Sequence, residues 1–407
     1  MAAIIIILLL LIWIVWLTSK PSRSALVGEA ERKQLDELQQ KDTATGNHLL
    51  IYADFHPMVE QLLSDIGSAQ QFIHLQFFKF EADAIGQCIG DALVQKAKEG
   101  VEVRLMYDDL TNHKSRWYYS KLRQQGVEVR GFGPARIPFL RKKDNYRNHR
   151  KVVVVDGKIG YIGGMNIADR YYQGLRWGNW RDTQIRIEGP AVAQLQHSFL
   201  CDWRYATGQL LARKEYYPTV APKGDTPARV LTSGPIGDGP AIMAEFCRIL
   251  DESRQYVYWD SPYFIPTKAV MQSLCNAARR GVDVRITIPP RGDRGILTPL
   301  ASKSYMQEAL EAGVHFYFYG KGYMHSKIMA CDDRIATVGS TNIDPRSFLL
   351  DLEINLVVED RAFTREIKEI CLADEKDSEC ITIEKWQQRP ILQRVMERMA
   401  RIFSAQL

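Results

Sequence analysis

Three things are scarce in this 407-residue chain, and each scarcity closes off a class of function. Its cysteines are few and unpatterned: seven, an odd number with no recurrent spacing, make neither a disulfide framework nor a Cys-x-x-Cys metal site. A reducing compartment suits them, and Cys331, set in an apolar run, reads as a small buried residue rather than a reactive thiol. There is no Walker-type glycine-rich loop to hold a nucleotide. Charge of one sign is also lacking, since 53 Lys and Arg stand against 48 Asp and Glu for a net charge of +5. That excess is too small to argue for nucleic acid, although it favours an anionic membrane surface over a basic partner.

One stretch departs from an otherwise ordinary globular composition. Met1 to Ser19 carries no charge, and Ala2 to Leu17 is apolar without interruption, near the minimum for a helix that spans a bilayer. Trp13 and Trp16 suit the headgroup boundary, and Lys20 and Arg23 follow just beyond it, which would leave the body of the chain in the cytoplasm. A cleaved secretory signal is the rival reading, but no basic segment precedes the run and no clean small-x-small site follows it. Residues 1–19 are therefore expected to be a transmembrane anchor and the polar residues 20–46 a juxtamembrane spacer.

What is present twice organises the rest. Asn148-His149-Arg150-Lys151, the apolar run Val152 to Val155, and Asp156 are followed by Gly163-Gly164-Met165-Asn166. The same spacing returns as Met324-His325-Ser326-Lys327, Ile328 to Cys331, and Asp332, followed by Gly339-Ser340-Thr341-Asn342. Each apolar run predicts a buried strand, so His and Lys, two residues apart, project from one face. Asp156-Gly157 predicts a turn into a second strand, Lys158 to Ile162. Asp156 has the opposite strand parity to His149, so Asp156 and Asp332 are expected to be structural partners more than chemical groups.

The duplication extends beyond the motif. Phe72 to Phe78, a helix to Lys98 and a strand opening at Gly100 are echoed by Tyr256 to Trp259, a helix to Arg280 and a strand opening at Gly281. Such alternation predicts an α/β fold of two pseudo-twofold-related repeats, each a β-sheet flanked by helices. The expected boundaries are 47–208 for the first repeat, 209–226 for a linker, 227–380 for the second repeat and 381–407 for an amphipathic tail.

If the halves pack with motif faces opposed, His149 and His325 converge, flanked by Lys151, Lys327, Asn166 and Asn342. Such a site is cationic and rich in donors, with no carboxylate pair suited to a metal. It would bind a phosphate. Two histidines about a phosphodiester divide the work: one attacks phosphorus, while the other protonates the departing alkoxide and later deprotonates the acceptor alcohol.

The pattern His-x-Lys-x4-Asp-x6-Gly-[Gly/Ser]-x-Asn, present twice without departure, resembles the phospholipase D superfamily and, within it, the bacterial cardiolipin synthases. The resemblance covers roughly residues 47 to 405. It implies a phosphatidyltransferase that needs no cofactor and no obligatory metal, with His149 as the nucleophile that becomes a phosphohistidine and His325 as the acid/base. Lys151, Lys327, Asn166 and Asn342 would neutralise the non-bridging oxygens. The run Ser347 to Asn355 resembles the family's segment in which a Glu, here Glu353, orients a catalytic His. Asp182, in Trp180-Arg181-Asp182-Thr183, is the matching position in the first half. Gly163, Gly164, Gly339 and Ser340 would support the site as the motif's small residues.

The implied reaction moves a phosphatidyl group between two phosphatidylglycerol molecules and releases glycerol. A hydrolytic phospholipase D giving phosphatidic acid is the alternative, and a phospholipase D-type nuclease, which would want a long basic groove, is weaker. The implied partners are phosphatidylglycerol and anionic membrane lipid, not nucleic acid, at the bacterial cytoplasmic membrane; a homo-oligomer is left open. Ile137 to Lys143 mixes apolar and basic residues, and Phe139, Arg141, Lys142 and Lys143 are expected to dip into anionic lipid. Tyr171, Tyr172, Trp177 and Trp180 would line the same entrance or pack in the core. In the tail, Ile391, Leu392, Val395, Met399, Ile402 and Phe403 share one helical face and Arg394, Arg398 and Arg401 another, fit either to cap the core or to lie on a membrane.

Overall fold

A computed structural model describes residues 43–133, 145–236, 238–293 and 295–404. The expected anchor, most of the spacer, and Phe139, Arg141, Lys142 and Lys143 lie outside them. No helix among the described residues is long and apolar enough to cross a membrane.

The apolar runs of the two motifs form the strands Val152–Val155 and Ile328–Cys331, each paired antiparallel with the strand after its turn, Ile159–Gly163 and Ile335–Gly339. Alternation assigns their side chains to different cores. Val152, Val154, Ile328 and Ala330 enter one core common to both halves, whereas Val153 and Val155 enter a core of the first half, and Met329 and Cys331 one of the second.

Fifteen strands make a single sheet where two separate ones were expected. From edge to edge they run Glu128–Phe132, Glu102–Asp108, Phe72–Phe77, Val152–Val155, Ile159–Gly163, Gln184–Glu188, Ala44–Tyr52, Thr226–Ser233, Glu353–Val358, Ile335–Gly339, Ile328–Cys331, Tyr256–Asp260, Asp283–Ile288, His315–Tyr319 and Ser378–Ile381. The order reads the same from either side of the middle apart from Ser378–Ile381, added at one edge. The join lies between Ala44–Tyr52 and Thr226–Ser233, through the pairs Ala44↔Ala228 and Asn47↔Thr226. Residues 44–46, assigned to the spacer from their polarity, are thus part of the sheet, because strand pairing satisfies backbone groups whatever the side chains.

Helices Val192–Thr207 and Arg361–Lys376 cover the shared face, contributing Phe199, Trp203, Ile367 and Cys371 to the common core. Phe55–Ser68, Ala84–Lys98 and Arg116–Gln124 cover the other face of the first half, and Ala241–Glu252, Lys268–Arg279 and Leu297–Glu311 that of the second. Caps fix where several of them start: Asp83 accepts from Gly86 N at 3.2 Å and Asp360 from Phe363 N at 2.8 Å. The tail is two helices, Ile383–Gln387 and Ile391–Arg401, separated at Pro390, which cannot donate the hydrogen bond that a continuous helix needs.

Candidate active site

Each motif Asp closes the turn after its strand. Asp156 has φ 51° and Asp332 φ 57°, the left-handed conformation that Asp tolerates better than most residues. The Asp156 carboxylate accepts from the backbone N–H groups of Gln70, Gln71 and Phe72 at 2.8–2.9 Å. Asp332 does the same for Arg254, Gln255 and Tyr256. These residues pin the motif strand to its neighbour and point away from the cleft.

The histidines are placed by backbone bridges between the halves. His149 N donates to Leu352 O at 3.0 Å and Leu352 N to Arg147 O at 2.8 Å. In the other direction Gly322–Met324 pairs parallel with Asn179–Arg181, and His325 N donates to Arg181 O at 2.7 Å. Each motif therefore lies beside the carboxylate-bearing segment of the opposite half. Nδ1 of His149 meets Glu353 Oε1 at 2.8 Å, and Nδ1 of His325 meets Asp182 Oδ2 at 2.5 Å. A carboxylate at Nδ1 selects the Nδ1–H tautomer and leaves Nε2 with its lone pair.

Two small residues complete these pairs. At Ser340 the hydroxyl donates to Glu353 Oε2 and accepts from Ile354 N at 3.0 Å. The matching position is Gly164, where a Cβ would stand 2.1 Å from Asp182 Oδ1. Gly339 is likewise confined, its missing Cβ 2.2 Å from Asn355 Oδ1, and Gly163, at φ 158°, lies against Thr183 O.

Lys151 and Lys327 are buried, and each ammonium donates to the carbonyl of its own motif histidine. Burial lowers Lys151 to about 7, with Lys327 adding to it, and lowers Lys327 to about 8 against the opposing pull of Asp182 and Glu353. Burial and then the neighbouring lysine also hold His149 well below the ordinary imidazole range and lower His325 to about 3. Both rings therefore favour the neutral form. The carboxylates differ: burial raises Glu353 to about 7, whereas at Asp182 burial is outweighed by His325 and Lys327, and the carboxyl titrates below its usual range.

A cleft of about 340 Å³ opens between the halves, and His149, His325, Asn166 and Asn342 all line it. Asn166 Oδ1 accepts from Lys79 N at 3.0 Å, while Asn342 Oδ1 is buried with no partner among the described residues. Tyr171 and Trp180 also line the cleft, with Trp180 4.8 Å from the His325 ring; Tyr172 instead lies tilted against the His56 ring and Trp177 lies under Arg291. Among the described residues no group of three His, Cys, Asp or Glu is arranged to hold a metal.

Several wall residues were not foreseen: Lys79, Phe78, His113, Arg170, Tyr263, Asp293 and Tyr323. Symmetry was the available signal. Phe72 N and Tyr256 N donate the same bond to their motif Asp, so counting on equally from each puts Lys79 opposite Tyr263. The two walls thus differ where the reacting groups match.

A sequence profile described as "Cardiolipin synthase, PLD-like domain" matches residues 62–203 and 246–374. Cardiolipin synthase 2 of Staphylococcus epidermidis is 36% identical over 364 residues, 88% of this chain and 74% of that protein. The major cardiolipin synthase ClsA of Bacillus subtilis is 36% identical over 363 residues, 88% of this chain and 75% of that one. Phosphatidylserine synthase of Haemophilus influenzae, with a TM-score of 0.69 and 15% identity over 93% of this chain and all of its own, shares the fold. By fold, by duplicated motif and by these relatives, the chain belongs to the cardiolipin synthase family of phospholipase D-like proteins.

Proposed function

We propose that the cleft transfers a phosphatidyl group from one phosphatidylglycerol to another, through a phosphohistidine, with release of glycerol. The observation that carries this reading is the crossed pair of His–carboxylate couples, each built from both halves, facing one cleft with two buried lysines. In the first step Nε2 of His149 attacks phosphorus. A P–N bond forms, the P–O bond to glycerol breaks, and protonated His325 gives its proton to the departing oxygen. In the second step neutral His325 takes the proton of the acceptor hydroxyl, whose oxygen attacks phosphorus as the P–N bond breaks. One phosphodiester replaces another, so no nucleotide is consumed.

The difference between the couples supports this division of roles. An acid/base imidazole must carry a second proton for part of the cycle, and an ionised carboxylate at Nδ1 stabilises that cation. Asp182, held low, is suited to His325. Bound phosphate supplies the negative charge that raises both the ring and the lysines from their depressed values. Lys151, Lys327, Asn166 and Asn342 then stabilise charge on the non-bridging oxygens.

The test is phosphatidylglycerol vesicles as sole substrate, with cardiolipin, glycerol and phosphatidic acid followed together. Cardiolipin and glycerol are expected in equal amounts at early times, and added glycerol should slow net synthesis by reversing the transfer. Phosphatidic acid dominating from the start would overturn the synthase reading in favour of hydrolysis.

A further inference from the structure

Of the two roles that its amphipathic pattern allows, the helix Ile391–Arg401 does not cap the core with its apolar face. Ile391, Leu392, Met399 and Ile402 are 79%, 70%, 61% and 70% exposed, whereas Glu397 is 2% exposed. At about 100° per residue the outward apolar side chains, with Val395 and Met396 among them, share one continuous arc. Ala400 faces inward against Ile265 and Ala301. Glu397 is turned inward too and satisfied there, accepting from Gln393 Nε2 at 2.8 Å and Arg389 Nη2 at 3.2 Å. Arg394, Arg398 and Arg401, all exposed, form a stripe along one margin of the apolar arc. Capping the core is thus excluded as the role of this apolar face.

We infer that this face is a membrane-docking surface whose occupant is a bilayer containing anionic lipid. Two features select that occupant. The face is apolar with a cationic margin, and the helix's sole carboxylate is removed from it, which is the charge distribution that an anionic headgroup layer complements. A second copy of the chain would bring its own arginine stripe against this one. The cleft's proposed substrates also reside in that bilayer, so the surface would hold the site at its substrate; this second argument rests on the proposed transfer reaction, whereas the first does not.

The experiment uses the full chain with its exposed cysteines removed, Cys88→Ser and Cys380→Ser, and with Met399→Cys carrying an environment-sensitive fluorophore. It is reconstituted either into vesicles of equal parts phosphatidylglycerol and phosphatidylcholine or into phosphatidylcholine alone. In the anionic vesicles, spin-labelled lipid should quench the probe, and quenching by aqueous acrylamide should fall about fivefold relative to detergent solution. In phosphatidylcholine alone the protection should be weaker. Full acrylamide access in both vesicles would overturn the inference, and so would shielding from both quenchers, which would mean protein covers the face. Equal lipid quenching in both would overturn the part assigned to the arginines. As a second variant, Leu392→Ser with Met399→Ser, at positions exposed to solvent, should lower turnover on vesicles severalfold while leaving turnover in mixed detergent micelles unchanged; equal turnover on vesicles would count against docking. Because quenching does not depend on turnover, failure of the synthase reading and failure of docking are told apart.

Discussion

Asp182 and Glu353 occupy matching places in the two halves, yet they hold their histidines differently. Asp182 is supported by a backbone N–H, that of Thr183 at 2.8 Å, and leaves room only for glycine at 164. Glu353, one methylene longer, leaves room for Ser340, whose hydroxyl donates to it. The shorter carboxylate stays ionised, whereas burial pushes the longer one up to about 7. The lesson is that a duplicated active site need not be a symmetric one. Backbone symmetry supplies two imidazoles, while burial outweighs the neighbouring charges at Glu353 and is outweighed by them at Asp182.

The strongest break in the comparison is removal of the rings. His149→Ala and His325→Ala should each lower turnover by roughly 10⁴-fold or more while far-ultraviolet circular dichroism stays that of a folded chain. A phosphatidyl donor with a good leaving group sharpens it, because that donor needs no acid. His325→Ala should then accumulate phosphohistidine, detectable by mass spectrometry at His149, and His149→Ala should not. Trapping at residue 325 instead would reverse the assignment.

Carboxylate replacements come next. Asp182→Asn should cost about 10²–10³-fold in kcat, on the scale of losing a group that stabilises developing charge. Much of that loss should vanish with the activated donor. Glu353→Gln should cost less, about tenfold, and show no such rescue. Equal losses with equal rescue would mean that the asymmetry has no catalytic meaning.

Lysine charge gives a pH test. Lysine holds phosphate only when protonated, and the folded values of about 7 for Lys151 and about 8 for Lys327 lie below the ordinary lysine range. The charge is therefore present at low pH and lost as pH rises through those values. Accordingly kcat/KM, which reports the free enzyme, should fall as pH rises through about 7 and more steeply above about 8, and kcat should persist to higher pH because bound phosphate keeps the lysines charged. A kcat/KM that stays level to pH 10 would contradict this. Lys151→Met or Lys327→Met should cost roughly a hundredfold in rate.

The smallest effects come from exchanging the small residues. Gly164→Ser drives a side chain into Asp182 and should cost about 1–3 kcal/mol of stability, read in thermal denaturation, with turnover falling alongside. Ser340→Gly removes one hydrogen bond to Glu353, worth about 1 kcal/mol, and should slow turnover only severalfold. If the two substitutions proved equivalent, the fit between residue size and carboxylate length would not be what separates the halves.

Much of this was legible along the chain because it depends on local rules. A strand has a two-residue period, so Val152 and Val154 had to face away from Val153 and Val155. The turn Asp residues were readable for the same reason, as their parity separates them from the histidines. Glu353 and Asp182 could be named as the supporting carboxylates, but which histidine each would hold was not legible. His149 meets a carboxylate 204 residues away and His325 one 143 residues away, and those meetings come from strand bridges between halves that no local period encodes. The single sheet, joined through Ala44–Tyr52, was hidden because its first residues are polar and read as spacer. In the tail the amphipathic pattern was plain, but a pattern names two faces without saying which looks outward. Tertiary packing decided that: small Ala400 fits against Leu297–Glu311, Glu397 is turned inward where Arg389 and Gln393 satisfy it, and the larger apolar side chains are left outside.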